Sequence, residues 1–242
     1  MTELLVENHG AVRVLTMNRP DKLNALNFAL TRAIVEGLKA ADADESVACV
    51  VLTGAGRGFC AGADTAEFKD LTPENQKLVE ERAQLTMSMH RLFSQMSKPV
   101  ISAINGFAMG GGAGVALACD MAVAGESAKI GYPEVKHGIV AAIVMPNLVR
   151  QLGRKAAFEL LSTGQTISPA RAVELGMINR VVPDDKLMEE TLALAQTVAG
   201  FGRQAMATTK ALFHEVVDLP LMQALERGRE TNAKMRAFRK PQ

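Results

Sequence analysis

Two glycine-rich segments, each emerging from a short and mainly apolar strand, limit what this chain can fold into more than any other feature. The first follows residues 47–52 and reads Gly54-Ala55-Gly56-Arg57-Gly58-Phe59-Cys60-Ala61-Gly62-Ala63-Asp64. The second follows residues 100–104 and reads Asn105-Gly106-Phe107-Ala108-Met109-Gly110-Gly111-Gly112-Ala113-Gly114. The run 47–52 is apolar at every position and 100–104 at all but Ser102, the pattern of strands buried on both faces, as in a parallel sheet covered by helices. The chain is therefore expected to be an α/β protein whose loops lie at the ends of buried strands.

The rest of the pattern agrees. Residues 4–6 and 12–17 read as short strands joined at His9-Gly10, and Pro20 ends the second because it cannot extend a ladder. From Asn27 the spacing of Phe28, Leu30, Ile34 and Leu38 turns helical. A polar helix is expected over 73–95, stopped by Lys98-Pro99. A small-residue helix covers 115–118, and strands cover 120–125 and 129–132. Helices are expected over about 141–152, 155–161, 169–175, 184–199, 203–217 and 219–237. The division expected is a core over 1–185 and a helical region over 186–242.

The glycine loops raise the question of phosphate binding, and the common fingerprints fail. G-x-G-x-x-G would need glycine at 59 or 115, where Phe59 and Val115 stand. Neither loop carries the Gly-Lys-Ser/Thr of a Walker motif, and the chain has no G-x-S-x-G or H-E-x-x-H. What glycine does provide is close approach of backbone N–H groups to a ligand. Gly110-Gly111-Gly112 stands at the start of a helix, where N–H groups lack helical partners. The turn 61–64 can offer another donor. Two such donors converging on one carbonyl oxygen form an oxyanion hole, and loss of one costs roughly 3–4 kcal/mol of transition-state stabilisation. Tight turns that pack helices on strands would use the same glycines.

Composition removes other classes. The formal charge is +1, so no global field draws in nucleic acid or an anionic membrane. There is no Trp and a single Tyr, Tyr132, which argues against a base-stacking platform. Cys49, Cys60 and Cys119 are too scattered for a disulfide framework or a metal site. The first residues carry acids rather than a signal pattern, and the longest apolar candidate, 139–149, is too short to span a bilayer. A cytoplasmic protein is expected.

In order along the chain stand Asn18-Arg19-Pro20-x-x-x-Asn24-Ala25-Leu26, the segment 58–64, and Lys98-Pro99-Val100-Ile101-Ser102-Ala103-Ile104-Asn105-Gly106. They are followed by Gly110-Gly111-Gly112, Cys119-Asp120, Pro133-Glu134, Gly138, Leu161-Ser162-Thr163-Gly164 and Ala172-x-x-x-Gly176-x-x-Asn179-x-Val181-Val182. Together these elements resemble the crotonase (enoyl-CoA hydratase/isomerase) family. The resemblance implies a spiral of ββα units, a C-terminal helical trimerisation region, and a homotrimer or hexamer. It implies an acyl-CoA substrate, with coenzyme A arriving as part of it and no separate cofactor or metal. Ala63 and Gly111 would donate the two N–H groups to the thioester oxygen, and Glu134 would be the catalytic acid or base. Lys22, Leu23, Ala25 and Leu26 would line the coenzyme A arm, with Lys22 facing the phosphates or simply exposed. Ala61, Asp64, Thr65, Gly110, Gly114, Pro133 and His137 complete the implied substrate contacts.

One departure matters chemically. Hydratases of this family place a second glutamate four residues after the opening glycine of the triplet, and here that position is Gly114. Moving a double bond from the 3- to the 2-position needs one base that takes an α-proton and returns it at the γ-carbon. Adding water usually engages two groups. A lone Glu134 therefore favours isomerisation or substrate-assisted hydration; hydrolysis, decarboxylation and a non-catalytic acyl-CoA scaffold remain as alternatives. The apolar stretch 139–145 is expected at the acyl pocket. His137 is read as a structural side chain or a second proton carrier. Asp64 is read as a helix cap, Asp120 as a turn-fixing residue and the cysteines as packing. His90 is read as solvated.

Overall fold

The computed structural model describes residues 2–238. The chain opens with an antiparallel pair, β1 (Leu4–His9) and β2 (Val12–Met17), followed by α1 (Phe28–Ala43). Asn27 caps α1, its side chain accepting from the Leu30 N–H at 2.8 Å. Next comes β3 (Cys49–Gly54), with every residue buried, then β4 (Gly58–Cys60) and α2 (Gln76–Gln95). The pattern repeats as β5 (Val100–Ile104), β6 (Phe107–Met109) and α3 (Gly111–Ala118), then as β7 (Met121–Gly125), β8 (Lys129–Gly131) and α4 (Met145–Leu152). After α5 (Arg154–Thr163) come β9 (Thr166–Ile167), α6 (Pro169–Glu174), β10 (Arg180–Val182), α7 (Leu187–Ala199), α8 (Arg203–Val216) and α9 (Leu221–Lys234).

The turns that begin at β3, β5 and β7 each contribute one strand to each of two sheets, whereas β1 and β2 both lie in the larger one. The larger sheet runs β1-β2-β3-β5-β7-β10 and the smaller β4-β6-β8-β9. From β2 onward the larger sheet is parallel, and β4, β6 and β8 pair in parallel as well. This is the expected spiral of ββα units. Alternation along β3 sends Val50 and Leu52 into one core with Leu30, Ile34 and Phe93, and Cys49 and Val51 into another with Leu187 and Ala195 of α7. The helix α7 thus covers the sheet's second face and belongs to the layered body, although it follows residue 185.

Several expectations shift. The segments 58–60 and 107–109 are strands within the glycine-rich loops. The helix expected from 141 begins at Met145, with Pro146 in its first turn, where proline is at home. The small-residue helix begins at Gly111, and β9 and β10 add short strands to the tail.

Gly54 ends β3 where the two sheets meet. A Cβ there would run into the carbonyl oxygens of Gly58 and Phe59 and lie 2.6 Å from Asn24 Nδ2. Backbone cannot yield as a flexible side chain can. Gly54→Ala is expected to cost about 3 kcal/mol of overpacking strain, read as a Tm lowered by roughly 6–12 °C for a chain of this size. A Tm within 2 °C or so of the parent on that scale would contradict it.

Candidate active site

The segment after β2 builds one wall. Leu23 and Asn24 adopt left-handed backbone, φ 48° and 56°, a conformation Asn tolerates better than most residues. Asn24 is fully buried; its Nδ2 donates to the Gly58 and Ala55 carbonyls at 2.7 and 3.0 Å, and its Oδ1 accepts from the Arg19 N–H at 2.9 Å. Arg19 also holds the Ala25 carbonyl and pairs with Asp64 at 2.8 Å. Arg82, from α2, donates to the Leu26 carbonyl at 2.7 Å. The sequence motif named Leu23, Ala25 and Leu26 and quoted Arg19 and Asn24 without foreseeing that they hold this wall; Arg82 was missed.

Leu26 forms a parallel bridge with Ala63. Its N–H donates to the Gly62 carbonyl at 2.7 Å, and its carbonyl accepts from the Asp64 N–H at 3.0 Å. Backbone direction alternates along such a segment, so the Ala63 N–H points to the opposite side. There it meets the start of α3. A Cβ built on Gly111 would lie 3.8 Å from the Ala63 nitrogen, so the two residues adjoin. Gly111 is the first residue of its helix, so its N–H has no partner within it.

Gly110 makes the approach possible. Its φ is 51°, and a Cβ there would lie 2.7 Å from Glu134 Oε1 and 3.1 Å from its carboxyl carbon. The carboxylate therefore stands directly beside Gly110, one residue before Gly111. The register that arranges this is a sheet ladder: Met109 faces Gly131 across β6 and β8, and the Gly110 N–H donates to the Gly131 carbonyl at 2.8 Å. Glu134 follows on a short 3-10 turn, Pro133–His137. Its Oε2 is buried with no hydrogen-bond partner among the described residues. Burial pushes its pKa above the ordinary glutamate value, partly offset by its own backbone N–H and by the charge of His137. A poorly solvated, unpaired carboxylate is suited to taking and returning a proton. Tyr132, two residues earlier, is 1% exposed, and its hydroxyl is likewise unpartnered. Burial first, and then the Glu134 charge, raise its pKa.

Glu134 opens on a cavity of about 580 Å³ whose walls include Val135, Ile139, Val140, Ala141, Met145 and Phe158. The apolar stretch after Gly138 lines it as expected. Pro133 is half-buried beside the acid, and Ala61 is held by its N–H to the Leu23 carbonyl at 2.9 Å. Thr65 and Lys22 are exposed. Asp64 is a cap, accepting from the Ala66 N–H at 3.1 Å. His137 is exposed and not among the residues that line the cavity.

Gly114 stands apart from these groups. It is buried, and a Cβ there would run into Val144 Cγ1 and lie 3.2 Å from His90 Cε1. The space a glutamate would need is filled by Val144 and His90. His90 is only 8% exposed, which corrects its reading as a solvated residue. Next to Met89 and one turn before Phe93, it borders the apolar stripe of α2, and burial lowers its pKa to about 4. It is a neutral packing partner here. Asp120 does more than fix a turn: it accepts from the Val100 N–H at 2.7 Å and from Lys210 at 2.8 Å, tying α8 to β5. The three cysteines are buried, and burial lifts the Cys49 and Cys60 thiols to about 12, far from a nucleophile's range.

The family model described as enoyl-CoA hydratase/isomerase matches residues 7–239 of this chain. The chain belongs to the enoyl-CoA hydratase/isomerase family. It is 36% identical to 2,3-dehydroadipyl-CoA hydratase of Escherichia coli, over 95% of this chain and 89% of that protein. An enoyl-CoA hydratase structure from Bacillus anthracis superposes with a TM-score of 0.91 at 31% identity, covering 96% of this chain and 90% of that one. A monofunctional enoyl-CoA isomerase from M. smegmatis does so with a TM-score of 0.78 at 30% identity, covering 93% and 98%. The chain is thus an enzyme of the enoyl-CoA hydratase/isomerase type, acting on acyl-CoA thioesters. Both reaction types occur among its enoyl-CoA hydratase/isomerase relatives.

Proposed function

We propose that the Ala63 and Gly111 N–H groups form an oxyanion hole for the thioester carbonyl and that Glu134 is the single acid/base. The observation that carries this is the Glu134 carboxylate standing 2.7 Å from where a Gly110 side chain would begin, one residue from the donor at Gly111. With a 3-enoyl thioester, Glu134 takes an α-proton and the electron pair moves through the carbonyl onto its oxygen. The two N–H groups hold the resulting enolate oxygen. The same carboxylic acid then returns the proton at the γ-carbon, leaving the conjugated 2-enoyl ester and regenerating the carboxylate. With Val144 and His90 occupying the space beside Gly114, no second acid faces this path. Hydration of a 2-enoyl ester then relies on Glu134 to activate water and to supply the α-proton.

Leu23 to Leu26, with Ala61 and Asp64, form the wall for the coenzyme A arm, and Lys22 is free to meet its phosphates. Phe213, Leu221, Met222 and Leu225 are exposed on α8 and α9. That apolar face supports a homotrimer or a dimer of trimers in the cytoplasm. No further cofactor is required by this chemistry, and no His, Cys, Asp and Glu cluster suited to a metal occurs among the described residues.

The test is turnover of the purified protein on crotonyl-CoA and on a 3-enoyl-CoA. Appearance of the conjugated-thioester band from the 3-enoyl ester is expected, with slower loss of that band from crotonyl-CoA. Binding of both esters without turnover of either would overturn the assignment in favour of a scaffold.

A further inference from the structure

The Glu134 cavity carries two cations that its aliphatic walls do not explain. Arg154, Lys155, Phe158, Leu161 and Ser162 of α5 all face it, at the spacing of one helical face. The orientation of that face can be fixed. A Cβ on Gly164, just past the end of α5, would lie 3.3 Å from Val135 Cγ1 and 3.0 Å from Lys136 Cε. The C-terminal end of α5 therefore adjoins the turn that carries Glu134. Arg154 and Lys155 stand at the other end, about 10 Å along the helix from Leu161 and Ser162 at 1.5 Å per residue. Phe158, Ile139, Val140 and Met145 line the same cavity.

Helix stability does not account for these charges. The first turn of a helix disfavours cations because its dipole is positive there, and α5 has no acid in that turn. Neither Arg154 nor Lys155 forms an ion pair with an acid among the described residues. An apolar cavity whose lining includes the proposed base and two unpaired cations is complementary to an acyl chain with an anion at its far end.

We propose that the preferred substrate is an enoyl-CoA whose acyl chain ends in a carboxylate, held by Arg154 and Lys155. The inference rests on the assignment of Glu134 as the acid/base at the thioester. A zigzag of ~1.5 Å bonds advances about 1.3 Å per carbon, so a reach of about 10 Å corresponds to an acyl chain of about eight carbons. Arg154 offers the fork that grips a carboxylate in two bonds, and Lys155 adds a point charge.

The experiment compares oct-2-enoyl-CoA and oct-3-enoyl-CoA with their ω-carboxylated counterparts, using the full chain, Arg154→Gln and Lys155→Gln. The parent protein is expected to favour the ω-carboxylates in kcat/KM by at least about tenfold, the order of one charge-assisted contact. Each variant should lose about that factor on the ω-carboxylates and stay within about twofold on the plain esters. Equal losses on both kinds of ester would assign the cations to the coenzyme A phosphates and overturn the proposal. Unchanged kinetics in both variants, or a parent that favours the plain esters, would overturn it too, while leaving the acid/base assignment standing. Absence of turnover on every ester would remove the acid/base assignment and this inference together.

Discussion

Replacing Glu134 by glutamine is expected to lower kcat by about a thousandfold, the middle of the range that a positioned general base contributes. Glutamine keeps the size of the side chain and its place beside Gly110 but cannot take the α-proton. The loss should appear in kcat with KM nearly unchanged, because the donor pair and the cavity walls remain. The pH profile of the parent enzyme gives a second reading. Burial raises the folded-state pKa of Glu134 above its unfolded value, so the base form, and turnover with it, grows as pH rises through that raised value. The stability consequence has the opposite sign. Between the unfolded and folded pKa values the folded chain binds the extra proton, so stability falls as pH rises through that window. At neutral pH the parent carries the full cost of the half-buried carboxylate, and Glu134→Gln should unfold at an equal or higher temperature. A variant that kept its turnover would remove Glu134 from the proton path. One that unfolded well below the parent would show that the carboxylate has a stabilising partner.

Gly111→Pro is expected to lower kcat/KM by about 10²–10³-fold, the cost of removing one oxyanion donor. The position suits the test. Gly111 is the first residue of α3, where proline is tolerated because the N–H it lacks has no helical partner. A Cβ there meets Leu26 Cδ1 at 3.4 Å and the Ala63 nitrogen at 3.8 Å, distances that ask little of the neighbours. The proline ring would also occupy the space in front of the missing N–H. Gly111→Ala is the companion variant: it adds the Cβ and keeps the donor, and it should stay within about tenfold of the parent. Matching losses in the two would mean that crowding, and not the N–H, sets the rate.

What could be read beforehand depended on whether the responsible groups were close in sequence. The buried strands β3 and β5, the glycine triplet at the head of α3 and the acid after β8 are all local patterns, and each appeared where expected. The three-residue strands β4 and β6 escaped because three residues inside a glycine-rich stretch carry no usable period. The segment 141–144 was read as the start of a helix, whereas the informative residue was Pro146, which marks a first turn. Gly114 was recognised as a departure, but the reason no acid fits there lies in Val144 and His90, 30 and 24 positions away in the chain. A contact of that kind leaves no periodic trace. Among the polar brackets around Leu23 to Leu26, Arg82 was hidden for the same reason, whereas Arg19 and Asn24 stood in the quoted motif without their bonds being foreseen.

The ladder between β6 and β8 has a consequence for how such a site can change over time. On the proposed assignment, the group that holds the carbonyl leaves one strand and the group that moves the proton leaves its neighbour, with Gly110 N–H to Gly131 carbonyl as the seam between them. Recognition of the thioester and choice of reaction are thus written on separate, mutually registered tracks. A mutation at or after position 133 can redirect the fate of the enolate while its capture stays intact. Inherited variation can therefore explore new chemistry on a bound intermediate, with the handle by which the substrate is gripped unaltered.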